Sequence, residues 1–310
     1  MFLERKRGVT MRFQKLIIIS LMIGVFLLTA CSPGADNSTQ KGAFIGGTQG
    51  VLAEFEAFGP EENGLYTIFE TESFPIEIRL SNKGEYDLQP NDITVTLEGL
   101  SQNEFGGIPA LSLSNDGIVD KVSELAPTGG EETVSFSQDV EYTAEVIGFI
   151  DRKIFANLDY KYQTTVIVPE VCLKQDLTDT RICDVAEAKS FSVSGAPVTV
   201  TSVEEESAGR GIVALRFKIK NVGGGKVTIL GQEFSATADQ LGFSLDDPTW
   251  ECKAAGRVNE ARLRDGETEV VCRLTEALSD KSLQVKQVKL VVDYTYRDLI
   301  QQTLRIRESS

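Results

Sequence analysis

Phe74-Pro75-Ile76-Glu77-Ile78-Arg79-Leu80-Ser81-Asn82-Lys83-Gly84 decides the fold, because it returns as Val213-Ala214-Leu215-Arg216-Phe217-Lys218-Ile219-Lys220-Asn221-Val222-Gly223. Apolar and polar residues alternate in both stretches, so each shows one face to a core and the other to water. Both end in Asn-x-Gly. Asn and Gly tolerate positive φ, so the motif reads as the turn that ends a strand. Two further landmarks repeat in the same order. Leu125-Ala126-Pro127-Thr128-Gly129-Gly130-Glu131-Glu132-Thr133-Val134 matches Leu263-Arg264-Asp265-Gly266-Glu267-Thr268-Glu269-Val270, and Asp159-Tyr160-Lys161-Tyr162 matches Asp293-Tyr294-Thr295-Tyr296. Asn82 and Asn221 lie 139 residues apart, Gly130 and Gly266 136, Asp159 and Asp293 134. Chance matches do not keep one spacing over three landmarks, whereas small loop deletions in a duplicated domain produce this drift.

The boundary between the copies is expected near Ser194-Gly195-Ala196-Pro197, followed by Val198-Thr199-Val200-Thr201-Ser202-Val203 as the first strand of the second copy. Each copy holds several short strand patterns broken by Gly, Asn, Asp and Pro. The expected fold is all-β, with two antiparallel β-sandwich domains in tandem, one over 48–193 and one over 194–310. Asn115-Asp116-Gly117 reads as a hairpin turn between Leu111-Ser112-Leu113 and Ile118-Val119. The stretch Asp139 to Ala156 reads as either a short helix or a strand pair.

The N-terminus supplies an address. Arg5, Lys6, Arg7, Arg12 and Lys15 precede an apolar run from Leu16 to Ala30, which ends Leu28-Thr29-Ala30-Cys31. That order is a secretory signal, with small residues before the cut, and the run is shorter than the ~20 residues of a spanning helix. Residues 1–30 are therefore expected to be a signal peptide. A cysteine just after the small residues resembles a lipobox, which implies a diacylglycerol on the Cys31 thiol. Ser32 to Gly47 is small, polar and aperiodic, so 31–47 reads as a flexible tether. Asn37-Ser38-Thr39 is a glycosylation sequon in a host that uses one.

Composition narrows the chemistry. The net charge is −15, with 46 acidic against 31 basic residues. Such a surface repels nucleic acid. There is no histidine, which removes the commonest general base and neutral metal ligand, and with them any Ser-His-Asp or Cys-His site. Beyond Cys31 the cysteines are Cys172, Cys183, Cys252 and Cys272. An even number in an exported chain reads as disulfides. Four cysteines allow three connectivities, and neighbour pairing is favoured because each pair lies in one expected domain. The loop between Cys172 and Cys183 holds Asp176, Thr178 and Asp179, with Asp184 just outside; it is carboxylate-rich, but it lacks a complete Ca²⁺-ligand spacing and reads as a solvated acidic loop. Gly223-Gly224-Gly225-Lys226 lacks the spacing of a phosphate loop. Trp250, beside Cys252, is expected to pack on a disulfide. Tyr160, Tyr162, Tyr294 and Tyr296 are expected to be buried with bonded hydroxyls. No catalytic residue, cofactor or metal site is expected.

Ile-x-Leu-x-Asn-x-Gly, then Leu-x-x-Gly-Glu-Thr-x-Val, then a late aromatic strand, resembles the CARDB and related immunoglobulin-like domains of prokaryotic surface proteins. The run Asn221-Val222-Gly223-Gly224-Gly225 is also similar to surface proteins of archaea. The resemblance covers most of 48–308 and implies immunoglobulin-like sandwiches acting as spacers or adhesion modules. The function expected from the whole reading is a non-catalytic, lipid-anchored cell-envelope protein, extracytoplasmic, held to the membrane by Cys31, with an envelope or surface protein as partner. The alternative is an extracytoplasmic ligand- or ion-binding lipoprotein associated with a transporter, a class that usually shows α/β lobes.

Overall fold

A computed structural model describes residues 43–176, 182–279 and 282–309. The expected signal peptide, Cys31 and Asn37 lie outside the described residues, as do Thr178 and Asp179. Among the described residues the secondary structure is entirely β.

The first half contains β1 (Val51–Phe55), β2 (Glu61–Glu62), β3 (Leu65–Phe69), β4 (Ser73–Asn82), β5 (Ile93–Glu98), β6 (Phe105–Gly106), β7 (Ser112–Ser114), β8 (Glu131–Tyr142) and β9 (Phe149–Lys174). Two short strands, β10 (Glu187–Ala188) and β11 (Ser192–Val193), lie in the connection. The second half contains β12 (Val198–Gly209), β13 (Ile212–Asn221), β14 (Lys226–Thr228), β15 (Asp239–Leu245), β16 (Trp250–Ala254), β17 (Arg257–Val258), β18 (Glu260–Leu263), β19 (Glu267–Leu274) and β20 (Leu283–Arg307).

The sheet orders expose the duplication. One sheet runs β1-β4-β8-β6 and a second β10-β12-β13-β19-β16-β17, so β4 and β13, the two quoted stretches, take equivalent places. The largest sheet runs β18-β15-β20-β9-β5-β7. Gly242 of β15 pairs with Asp293 as Thr94 of β5 pairs with Asp159. Gly242 then pairs with Glu260 of β18 as Thr94 pairs with Ser114 of β7. The order is therefore a palindrome about the β9–β20 seam, with Lys161↔Thr295 at its centre.

The halves were expected as separate tandem sandwiches, and here the architecture differs. β9 and β20 pair antiparallel from Lys174↔Leu283 to Phe149↔Arg307, and β3 adds to the far end of β20 in parallel. Ala43–Ser310 consequently forms one compact unit. The physical reason is visible in the alternation: Ile154, Ala156, Leu158, Tyr160, Tyr162, Val166 and Val168 are all buried, as are Val288, Leu290, Val292, Tyr294 and Tyr296. Two long strands with one apolar face each bury it best side by side, over a single core.

Two local expectations are settled by the structure. The stretch from Asp139 to Ala156 is strand rather than helix, the end of β8 and the start of β9, which belong to different sheets and do not pair with each other; the chain turns between them at Gly148, where φ is +75°. Asn115-Asp116-Gly117 does not join two strands of a hairpin: β7 pairs with β5, and Val119 bridges Leu88. Asn115 is fully buried, and its side chain accepts from Ile93 N–H at 2.8 Å while donating to Gln89 and Gly117 carbonyls at 2.9 and 2.7 Å. A turn signal there is a buried hydrogen-bonding post.

Candidate functional site

The three repeated landmarks turn out to be one constellation, built twice. In the first half, Asn82 Oδ1 accepts from Gly84 N–H at 3.2 Å and from the Tyr162 hydroxyl at 3.0 Å, while Nδ2 donates to the carbonyls of Tyr86 and Val119 at 2.7 and 3.2 Å. Its own N–H donates to Gly130 O at 3.0 Å. In the second half, Asn221 Oδ1 accepts from Gly223 N–H at 3.2 Å and from the Tyr296 hydroxyl at 3.4 Å, Nδ2 donates to Gly225 O at 3.0 Å, and its N–H donates to Gly266 O at 2.8 Å. Asn-x-Gly, the Gly turn and Tyr-x-Tyr thus recur together because they touch.

The expected reason for Asn-x-Gly needs correcting. Neither Asn82, Gly84, Asn221 nor Gly223 adopts positive φ. Asn is there for its side chain, and Gly because a Cβ at Gly84 or Gly223 would stand 2.0 Å from the hydroxyl of Tyr162 or Tyr296. Positive φ is confined to the second landmark, with Gly129 at +71° and the Asp265-Gly266 pair at +53° and +77°. The latter is the two-residue hairpin geometry between β18 and β19.

Asn82→Ala would take the acceptor from the Tyr162 hydroxyl and the Gly84 N–H and the side-chain donor from the Tyr86 carbonyl, while the Val119 carbonyl keeps Leu88 N–H, at about 1–3 kcal/mol for each group left unsatisfied. We expect it to cost about 3 kcal/mol, and Asn221→Ala less, since Asn221 is half-buried and holds one carbonyl fewer. Urea unfolding of the two variants checks the ranking; equal losses would contradict it.

At the seam the four tyrosines form a square. Tyr162 faces Tyr294 and Tyr160 faces Tyr296 across β9 and β20, with ring centroids 6.3 and 5.4 Å apart. The Tyr294 hydroxyl lies 3.1 Å from Thr164 Oγ1 and accepts from Val198 N–H at 3.4 Å. The hydroxyl of Tyr296 accepts from Gly225 N–H at 2.8 Å. Burial pushes the ionisation of all four above the ordinary tyrosine range, and neighbouring phenols reinforce it for Tyr160, Tyr162 and Tyr294. These groups hold their protons in the folded state and release them near pH 10 in the unfolded state, so stability present below that pH is lost above it. We expect phenolate absorbance to show a steep step that coincides with loss of near-ultraviolet circular dichroism. A smooth titration of all tyrosines with the fold intact would contradict this.

Opposite the core, the same sheet shows water a polar face. On it Arg297 forms a two-point pair with Asp159 at 2.6 and 2.5 Å, Gln163 donates to Asp293 at 2.8 Å, and Lys161 pairs with Asp92 at 2.7 Å. Arg297 also stacks on Phe234, 4.1 Å above the ring. Two shallow clefts open here. One, of about 570 Å³, lies at the palindrome centre between Asp92, Lys161, Arg297 and the loop Gly231–Phe234. The other, of about 530 Å³, lies among Phe44, Tyr86, Gln163 and Lys289. In the first cleft Asp92 is paired with Lys161 and Asp159 with Arg297.

Both disulfides pair neighbours in sequence, Cys172 with Cys183 and Cys252 with Cys272. Cys252 and Cys272 are direct partners on β16 and β19, so this bridge lies within one sheet. Trp250 shares the inward face of β16 with Cys252 and is 6% exposed; its indole N–H has no hydrogen-bond partner. The bridges fit an oxidising, extracytoplasmic compartment. Among the described residues no helix is long and apolar enough to cross a membrane, and no cluster of three or more His, Cys, Asp or Glu is arranged to hold a metal ion. Of the acidic loop Asp176 is described, as is Asp184 just outside it.

Two features escaped the sequence reading. Glu205 is buried, yet it sits in the run Glu204-Glu205-Glu206. A register shift in β12 between Val200 and Ser202 reverses which residues point inward, and turns Glu205 to the core. There it accepts from Lys189 at 2.6 Å and from Cys172 N–H at 2.9 Å, while burial pushes its carboxyl upward against both. Glu85, which comes directly after the first Asn-x-Gly, also carries no signal in the sequence. No protein-family model, curated protein or solved structure matches the chain.

Proposed function

We propose that this chain is a non-catalytic, lipid-anchored protein of the cell envelope that acts as a spacer, adhesion or assembly module. The seam supports this reading best. Two halves share one sheet through strands of 26 and 25 residues, a contour of roughly 80 Å at the rise of extended chain. Disulfides cross-link each half. A body of that kind transmits position and load, and its end loops and sheet edges are free for contacts. The lipobox-like ending at Cys31 supplies the anchor. In this reading Cys31→Ser releases the chain from membranes, and mass spectrometry of the wild-type N-terminus finds diacylglycerol on the thiol. An unmodified, uncleaved N-terminus would end the anchor proposal. Cross-linking on intact cells then tests the role: envelope or surface-layer partners support assembly or adhesion.

The clefts on the polar face favour a second reading, an extracytoplasmic ligand- or ion-binding lipoprotein that serves a transporter. Cross-links to a transporter subunit, or a small molecule that co-purifies with the protein, would favour it.

A further inference from the structure

Glu85 holds three chain segments at one point. Its carboxylate accepts from Ile45 N–H at 2.9 Å, Gly46 N–H at 2.8 Å and Gly195 N–H at 2.7 Å, and its own N–H donates to Gly195 O at 2.8 Å. The approach is close because glycine occupies it: a Cβ on Gly195 would stand 2.7 Å from Gly46 O, and one on Gly84 2.6 Å from Gly195 O. Ala196 N–H completes the contact with Gly47 O at 3.3 Å. The duplication provides a control within the molecule. The second Asn-x-Gly is succeeded by Gly224, around which a Cβ would meet nothing within 4 Å. The turn is built twice, but the carboxylate occurs only where the N-terminal segment and the linker between the halves converge.

The strand just downstream of Gly46 gives such a fastening its use. β1 begins at Val51 and is the edge strand of its sheet, paired only with β4. A pull or fluctuation entering from the N-terminal side would open the β1–β4 hydrogen bonds one after another, since edge strands open at low local free energy. We propose that Glu85 is a latch: it straps residues 45–46 to the linker at Gly195, so that motion of the preceding chain stops there and β1 stays paired. The latch goes beyond the proposed envelope role and does not depend on lipid at Cys31.

Hydrogen exchange on the full chain tests it. In wild type the amides of Ile45, Gly46 and Gly195 exchange slowly. Glu85→Ala accelerates all three by about tenfold or more, the loss expected for hydrogen bonds to a charged acceptor, and also accelerates Val51–Phe55. Glu85→Gln keeps the side chain's shape but turns an NH₂ group towards N–H donors; it shows the same pattern more weakly, and decides the matter if the alanine variant does not fold. Unchanged exchange at Ile45, Gly46 and Gly195 would overturn the latch. So would acceleration there with Val51–Phe55 unaffected, because the strap would then protect nothing.

Discussion

Gly84→Ala is expected to lose about 3 kcal/mol or more of stability, more than Gly223→Ala, although the two glycines are repeats of one another. A Cβ at Gly84 meets the Tyr162 hydroxyl at 2.0 Å and, beyond it, the main-chain carbonyls of Gln49 and Gly195 at 2.5 and 2.6 Å. At Gly223 the obstacles are side chains alone: the Tyr296 hydroxyl at 2.0 Å, its ring at 3.0 Å and Pro197 Cβ at 3.1 Å. A side chain can be shortened by mutation and a carbonyl cannot. Tyr296→Phe should therefore cut the added cost of Gly223→Ala to about 1 kcal/mol, whereas Tyr162→Phe should leave that of Gly84→Ala nearly whole. Urea unfolding of the two double-mutant cycles reads both couplings. Equal rescue in the two halves would show that the backbone at Gly84 yields, and that the tyrosine alone sets the requirement for glycine.

Removing both disulfides is expected to have the larger total effect. The bridges close segments separated by 11 and 20 residues, and each loop is worth about 3 kcal/mol in the unfolded-chain entropy model. Together they make up about 6 kcal/mol, against the 5–15 kcal/mol typical of folded domains. Cys172→Ala with Cys183→Ala, and Cys252→Ala with Cys272→Ala, separate the contributions. The second pair leaves the β16–β19 ladder in place around it, so its loss should lower the unfolding midpoint uniformly. The first pair lies next to the buried Glu205–Lys189 ion pair, and its loss should also speed exchange locally over residues 183–189. A midpoint unmoved by reductant would refute both expectations.

How much of this was legible in the sequence can be judged residue by residue. The alternation in Ile76-Glu77-Ile78-Arg79-Leu80 and in Leu215-Arg216-Phe217-Lys218-Ile219 declared strands, because burial of one sheet face imposes a period of two. The repeat of three landmarks declared two halves, because the residues involved contact one another and so recur as a set. The cysteine partners could be read from proximity in sequence. The seam was not legible: an apolar face on β9 looks the same whether its neighbour comes from its own half or from the other, and only the match of Tyr162 with Tyr294 decides. Glu205 was hidden by a bulge that shifts the period. Glu85 was hidden because a carboxylate bonded to main-chain N–H groups leaves no pattern in the side chains of its partners. The face with the two clefts was legible only as polar positions on strands, since Phe234 reaches it from a loop with no periodicity.

The palindromic order of the large sheet also has a consequence for production and for quality control in the cell. In the whole chain, β9 and β20 cover each other's hydrogen-bonding edges from Phe149 to Lys174. A chain that ends before β20 is made, or is clipped in the linker around Gly195, leaves β9 as a long, regular strand with one edge largely bare and an apolar face ready to pair. The best available substitute for β20 is the β9 of another truncated copy, because the two strands are equivalents in the repeat. Isolated first halves should accordingly self-associate through this strand, as head-to-head dimers or as aggregates, so synthesis of the second half serves as the chaperone of the first.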